Sequence, residues 1–316
     1  MKLATLKDGT RDGQLIVVSR DLQTAAIADA IAPTLQRVLE DWHFYAPQLR
    51  TLYESLNGGR VRRSFKFDAK ACMAPLPRAW RCIDATHPVK EAVGGEWFAI
   101  RRADVLGGAR EDILVADDTR QLTLRSGVAA LLSDVAPGAV PMEAVASVRL
   151  LTLFASFRAP ASDAAAVMDA FDERPVPGAF DATAYEALAF AALAVTPDVF
   201  GDDWHHGVLR RRVDVKLNGQ RLSDGGASAK DDVPGSETAR LRADIGGFAT
   251  VNALLARTQG ISAGTIVLGA PGYAGPDTRL LSVGDRIAID LRDDRGTTYC
   301  GPIETSLSPR GEATAD

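Results

Sequence analysis

The sequence predicts a mixed α+β protein, rich in β-structure, with a small N-terminal domain ahead of a larger β domain. Three observations predict it. The opening stretch, roughly 70 residues and near the lower limit for a domain that folds alone, pairs a hairpin pattern with helical periodicity. Beyond Trp80, short alternating runs separated by turn residues take over. The 316 residues are 46% hydrophobic, enough for one large core or two smaller ones.

In chain order, Lys2–Leu6 alternates, Lys7–Gly13 is rich in Asp and Gly, and Gln14–Ser19 returns as an apolar strand. A helical segment is expected near Ile27–Ile31, capped by Asp21 or Thr24. Pro33 suits the first turn of the next helix, where its missing N–H costs nothing. Leu35, Val38, Leu39 and Trp42 recur at helical spacing, as do Leu49, Leu52, Tyr53 and Leu56, and Gly58–Gly59 ends that face. Pro75 and Pro77 mark a linker. The expected division is 1–73, 74–307 and a polar tail at 308–316.

In the larger domain, β-type runs cover Leu122–Leu132, Val213–Leu217, Thr265–Leu268, Arg286–Leu291 and Thr297–Ile303. Asn218–Gly219, Gly272 and Asp294–Arg295–Gly296 separate them as turns. Met142–Leu153 and Phe248–Thr258 read as amphipathic helices. Ser223–Glu237 reads as a polar loop and Ser308–Asp316 as a frayed tail. No internal repeat is present.

Composition removes several function classes. The net charge of −5 argues against a nucleic-acid partner, which needs a clustered basic face. Arg210–Arg211–Arg212 is too short to reverse that and reads as a solvated strand edge. Cys72, Cys82 and Cys300 are odd in number and form no CxxC pair, so a reducing compartment is expected rather than a disulfide framework. The N-terminus lacks the apolar core of a signal peptide, and no run approaches the roughly 18 apolar residues of a membrane span. A cytoplasmic protein with no membrane partner is expected.

Six segments, in order, resemble bacterial members of the fumarylacetoacetate hydrolase family. They are MKLATLKDGTRDGQLIVVSRDL at the start, IAPTLQRVLEDW with APQLRTLYESLNGG, and APLPRAW (Ala74–Trp80). AVTPDVFGDDW (Ala194–Trp204), ISAGTIVLGAPGYAG (Ile261–Gly275) and LSVGDRIAIDLRDDRGTTYCGPIETSL (Leu281–Leu307) follow. The resemblance implies a β-roll catalytic-fold domain and a homodimer. It also implies Mg²⁺ or Ca²⁺ held by carboxylates, polarising a 2-oxo acid or β-dicarbonyl substrate while a His–Glu pair activates water. A hard cation wants oxygen ligands, and a departing enolate needs positive charge where its own develops.

Against that pattern the site positions are altered. The family's Glu-x-Glu strand, in a run like FEAEVAVI, matches Leu124–Ala129 and puts Arg125 and Gly127 at the two carboxylates. The Asp after the next helix becomes Ser156. The family lysine falls at Tyr185, and the threonine of the Gly-rich loop is replaced around Ala270, with Tyr273 nearby. Asp84 matches the remaining metal Asp if a loop is four residues shorter, which leaves His87 as a displaced catalytic histidine with Glu91 as a candidate partner. The plainer reading of His87 is a surface loop residue beside Pro88, and that of Glu91 a solvated acid. His205–His206 and His43 carry no metal-ligand spacing, and Gly269–Gly275 lacks the Lys–Ser/Thr of a phosphate loop.

The resulting expectation has no bound cofactor, Mg²⁺ and Ca²⁺ being absent and Asp84 the only retained ligand. Arg125 anchors a small anionic organic molecule, Ser156, Ala270 and Tyr273 line its site, and Tyr185 or His87 serves as acid/base for metal-free cyclisation, isomerisation, decarboxylation or C–C cleavage. One alternative is a non-catalytic scaffold or ligand sensor. Another is a metal-dependent C–C hydrolase with ligands relocated to Asp84, Glu91, Asp104 or Glu186. The segment Asp163–Thr183, where the family has a LAKGFGFFQSKP-type run, reads either as a rebuilt pocket wall or as a drifted loop.

Overall fold

The computed structural model describes residues 1–90, 96–115, 121–159, 186–211, 213–222, 247–274 and 280–310; at 86–90, 96–97, 186 and 270–274 it describes the backbone. The chain opens with the expected hairpin, β1 (Lys2–Leu6) and β2 (Gln14–Val18). It continues into a third strand, β3 (Thr24–Ile27), where a helical segment was expected. Pairing explains the difference. Val18 faces Ala25 and Ile16 faces Ile27, so a short Ala-rich segment completes a sheet that already exists.

Two helices follow, α1 (Leu35–Glu40) and α2 (Trp42–Asn57), then β4 (Phe65–Lys66). The Thr34 hydroxyl caps α1, accepting from the Arg37 amide at 3.4 Å, so Pro33 stands just ahead of the cap rather than in the first turn. Gly58 terminates α2 as its composition implies.

The larger part contains β5 (Arg81–Lys90), β6 (Glu96–Arg101), β7 (Ile113–Val115), β8 (Thr123–Leu132), α3 (Pro141–Ala146) and β9 (Val148–Arg158). Next come β10 (Glu186–Phe190), β11 (Leu193–Val195), β12 (Trp204–His205), β13 (Val208–Leu209), β14 (Val213–Leu217) and β15 (Gln220–Arg221). α4 (Gly247–Leu255), β16 (Thr265–Ala274), β17 (Arg286–Leu291) and β18 (Ile303–Pro309) complete the described order.

Two expectations fail here. Met142–Leu153 is a short helix followed by a strand, because Leu150, Leu151, Leu153 and Phe154 are buried on both faces of a sheet and show no period of two. Thr297–Ile303 is mostly turn. Gly301 adopts φ +75, and the strand begins only at Ile303 and runs through Pro309, past the start of the expected tail. Ser308 donates to Asp112 at 2.9 Å. The Ser223–Glu237 loop and the Asp163–Thr183 segment lie outside the described residues.

An 11-stranded sheet runs β4-β3-β2-β1-β11-β9-β8-β16-β5-β6, with β10 also paired to β9. β1 pairs with β11 through Lys2 and Val195, so the opening hairpin continues the large sheet. A five-stranded sheet, β15-β14-β17-β18-β7, stands apart. Each face of the large sheet buries its own core. One joins Leu124, Ala130, Leu153 and Val267 to Val215, Ile289 and Leu307 of the smaller sheet. The other joins Ala129, Leu131, Leu150, Phe154 and Ile266 to Leu35, Val38, Leu39 and Leu49 of the N-terminal helices. Lys2 is buried and donates to the Tyr299 and Thr298 carbonyls at 2.9 and 3.3 Å, which pays part of the cost of burying its charge. No described helix is long and apolar enough to cross a membrane.

Candidate functional site

Strand alternation decides which side chains meet. On β8, Leu124 and Ala130 belong to the core beneath the smaller sheet, and Ala129 and Leu131 to the core beneath the helices. Arg125 and Gly127 therefore lie on the helix-facing side. On β9, Phe154 fixes the same parity for Ser156. The register then brings the predicted residues together. Arg125 stands opposite Ser156, which stands opposite Leu188 of β10. In the adjacent row Gly127 stands opposite Phe154, and Phe154 opposite Phe190. Arg125 is half-buried, and Ser156, Leu188, Phe154 and Phe190 are buried. The register thus sets a permanent cation across from a hydroxyl, in a row next to one of aromatic side chains.

β16 flanks β8 on the other side. Its register slips between Leu268 and Pro271 and again between Pro271 and Tyr273. Bulges of this kind re-aim a strand and recur beside functional sites. After the slips Tyr273 pairs with Ser126 and Ala274 with Arg125, and Ala270 lies within the irregular stretch. The bulged strand is also held closely. A Cβ on Gly269 would fall 2.6 Å from the Phe248 ring and 2.9 Å from the Val128 carbonyl oxygen.

Asp84 shares the face of Arg125 but not its neighbourhood. It pairs with Leu268, and Leu268 with Ala129, four residues along β8 from Arg125. Two strand spacings and four residues separate them by on the order of 15 Å. The Asp84 carboxylate is engaged, because Arg101 of β6 donates to its Oδ2 from Nε at 3.0 Å and Nη2 at 2.6 Å. Both side chains are nearly buried, at 9% and 12% exposure. Arg101 was not anticipated; its position opposite Cys82 follows only once β5 and β6 are recognised as a hairpin. His87 belongs to β5 rather than a loop. Tyr185 and Glu91 lie outside the described residues, and Glu186 opens β10 opposite Arg158.

These residues suit an anion better than a divalent cation. A guanidinium cannot ligate a metal, Gly127 has no side chain, and a serine hydroxyl is a weak ligand for Mg²⁺ or Ca²⁺. Asp104 is exposed and paired with Arg102 at 2.8 Å; the hydrogen bond from that guanidinium holds its carboxyl below the ordinary carboxylate range. Asp104 lines a separate open groove of about 810 Å³ with Asp12, Arg78 and Trp80. His205 and His206 stack edge-on with ring centres 4.0 Å apart. Among the described residues no three His, Cys, Asp or Glu side chains gather as a metal site would require. Arg211 of the basic run bridges Asp203 at 2.5 Å and Asp294 at 2.5 Å. Burial pushes the Cys72 and Cys300 thiols up to about 12, which leaves neither nucleophilic at neutral pH.

Comparison with known proteins bears on the fold. Residues 1–78 match the model of the fumarylacetoacetase N-terminal domain 2. No curated protein matches by sequence. Among solved structures, the maleylpyruvate hydrolase of Sphingobium sp. SYK-6, in complex with manganese(II) and pyruvate, is 18% identical with TM-score 0.61, covering 98% of this chain and 99% of that one. A probable 2-hydroxyhepta-2,4-diene-1,7-dioate isomerase from Mycobacterium abscessus is 17% identical with TM-score 0.63, covering 99% and 100%. A fumarylacetoacetate hydrolase from Exiguobacterium antarcticum is 14% identical with TM-score 0.59, covering 98% and 100%. The chain thus begins with a fumarylacetoacetase-type N-terminal domain and has, over nearly its whole length, the fold of the fumarylacetoacetate hydrolase family.

Proposed function

We propose that this protein binds a small oxo acid or β-dicarbonyl-type anion without a divalent metal, with Arg125 supplying the positive charge. The observation that carries the reading is the pairing of Arg125 with Ser156 on the face that also presents Gly127. By resemblance these three positions are where the family keeps metal carboxylates. A guanidinium offers paired N–H donors that match a carboxylate, and it stabilises a developing enolate electrostatically. The chemistry this supports is enolisation followed by cyclisation, isomerisation, decarboxylation or C–C cleavage, with Tyr185 or His87 moving the proton. Ser156, and the β16 backbone at Ala270 and Tyr273, border the same cleft in this reading. The pyruvate named for the manganese-bound hydrolase motivates the ligand class.

The loss of carboxylates at the same positions equally suits a ligand-binding homologue that has no reaction, and the two readings share the binding step. That step is tested by titrating pyruvate and 2,4-dioxo acids into the protein in the presence of chelator. Wild type is expected to bind, and Arg125→Ala to weaken binding by about ten- to a hundredfold, the usual effect of losing a charge-assisted hydrogen bond. Equal affinity in the variant would remove Arg125 from the role.

A further inference from the structure

A second cationic position lies away from Arg125, where the N-terminal helices meet the end of the β8–β9 pair. Arg149, the second residue of β9, donates from Nε to the Ser133 hydroxyl at 2.8 Å. Its Nη2 lies 3.4 Å from Nε2 of His43, in the first turn of α2. The guanidinium carbon stands 5.9 Å from the Trp42 ring centre. Ser133 is held in place, since its amide donates to the Ser147 carbonyl at 3.0 Å and it is 8% exposed. Arg149 is half-buried, and His43 is exposed.

Arg149 lacks the usual partner of such an arginine. Among the described residues no carboxylate lies within ion-pair distance of it. The nearest acid in sequence to Ser133, Asp134, accepts instead from the Ala263 amide at 2.8 Å. A guanidinium carries five N–H donors, and the two hydrogen bonds above use two of them. The Nη1 pair and the second Nη2 hydrogen remain for a further acceptor. The Ser133 hydroxyl accepts from Arg149 and keeps its own proton to donate. With Arg149 donating, His43 accepts at Nε2 as the tautomer that carries its proton on Nδ1. A partly desolvated cation beside a hydroxyl, with no acid against it among the described residues, is the arrangement that recognises a small oxyanion.

We infer that Arg149, Ser133 and His43 form a binding site for a small oxyanion, a phosphate or a carboxylate, at the seam between α2 and the end of β8 and β9. An anion there bridges the helical layer and the sheet. The site is independent of Arg125, which lies toward the opposite end of β8.

The test uses full-length protein with ¹³C-labelled histidine, titrated at constant pH with inorganic phosphate and, in a second arm, with acetate. The His43 ring signals, assigned by their loss in His43→Gln, are expected to move saturably with at least one anion, and the arm that saturates at lower concentration identifies the preferred source. Arg149→Met is expected to weaken this response at least about tenfold, and Ser133→Ala several-fold, while Arg125→Ala leaves it unchanged. The Ser133→Ala measurement stands if Arg149→Met fails to fold. A His43 response that is absent, that rises linearly without saturation in both arms, or that is the same in wild type, Arg149→Met and Ser133→Ala would overturn the inference. Loss of the response in Arg125→Ala would assign it to the cleft and overturn the independence of the site.

Discussion

At the scale of single residues, the buried pair Arg101–Asp84 sets the clearest constraint. With both side chains close to buried, neither charge tolerates losing the other. Arg101→Met is expected to lower unfolding free energy by about 3 kcal/mol, and Asp84→Asn in the same background to restore much of it. Urea denaturation of the single and double variants measures this; an additive double variant would show that the pair is not coupled. Gly269 makes a steric prediction. Gly269→Ala drives a methyl against the Phe248 ring and the Val128 carbonyl, and should cost about 1–3 kcal/mol. A midpoint equal to wild type would show that Phe248 yields freely. The sequence marks Arg125, Gly127 and Ser156 as departures from the pattern it resembles, and the register sets Arg125 opposite Ser156 and Gly127 opposite Phe154. It did not reveal Arg101, because the partner of Asp84 depends on a long-range register that no local pattern encodes.

At the scale of elements, the legible parts were short runs bounded by turn residues. β1, β2, β14 and β17 fall at or within a residue of the expected bounds, and α2 ends at its Gly58 cap. The misread parts were apolar on both sides or set by neighbours. β9 is buried on both faces and so read as helix, while β3 is a strand only because β2 is beside it. α2 also contains Pro47, six residues into the helix, where it removes a backbone donor and crowds the His43 carbonyl. Pro47→Ala is therefore expected to stabilise the protein by about 1 kcal/mol or more, read as a higher denaturation midpoint. A lower midpoint would mean that the proline ring contributes packing that outweighs the missing hydrogen bond.

At the scale of the whole molecule, surface carboxylates govern the response to acid. Arg78 hydrogen-bonds Asp12 and holds its carboxyl below the ordinary value. In Asp198 burial pushes upward, but hydrogen bonds from Arg50 and Thr196 outweigh it and the carboxyl is again lowered. With Asp104 held down by Arg102, each contributes stability that is complete above the unfolded value of about 4 and lost as pH falls through the lower folded value. Solvent screens these pairs, so the effect is modest. The urea midpoint should decline as pH falls below about 4; a midpoint that rises there on acidification would contradict the pairing.

The fold was legible across the molecule because six short segments in fixed order report one topology, while the chemistry was less so. Tyr185 falls where the sequence departs furthest from the family pattern, and register slips in β16 bring Ala274 opposite Arg125, where the Leu268–Ala129 pairing continued without slips would bring Gly272. The replacement of a metal by a guanidinium remains the central claim, and metal content tests it most directly. Protein equilibrated with excess Mn²⁺, passed through gel filtration and analysed by plasma mass spectrometry should retain far less than one equivalent per chain. Retention of one equivalent, lost on Asp84→Asn, would contradict it and restore a metal-dependent site.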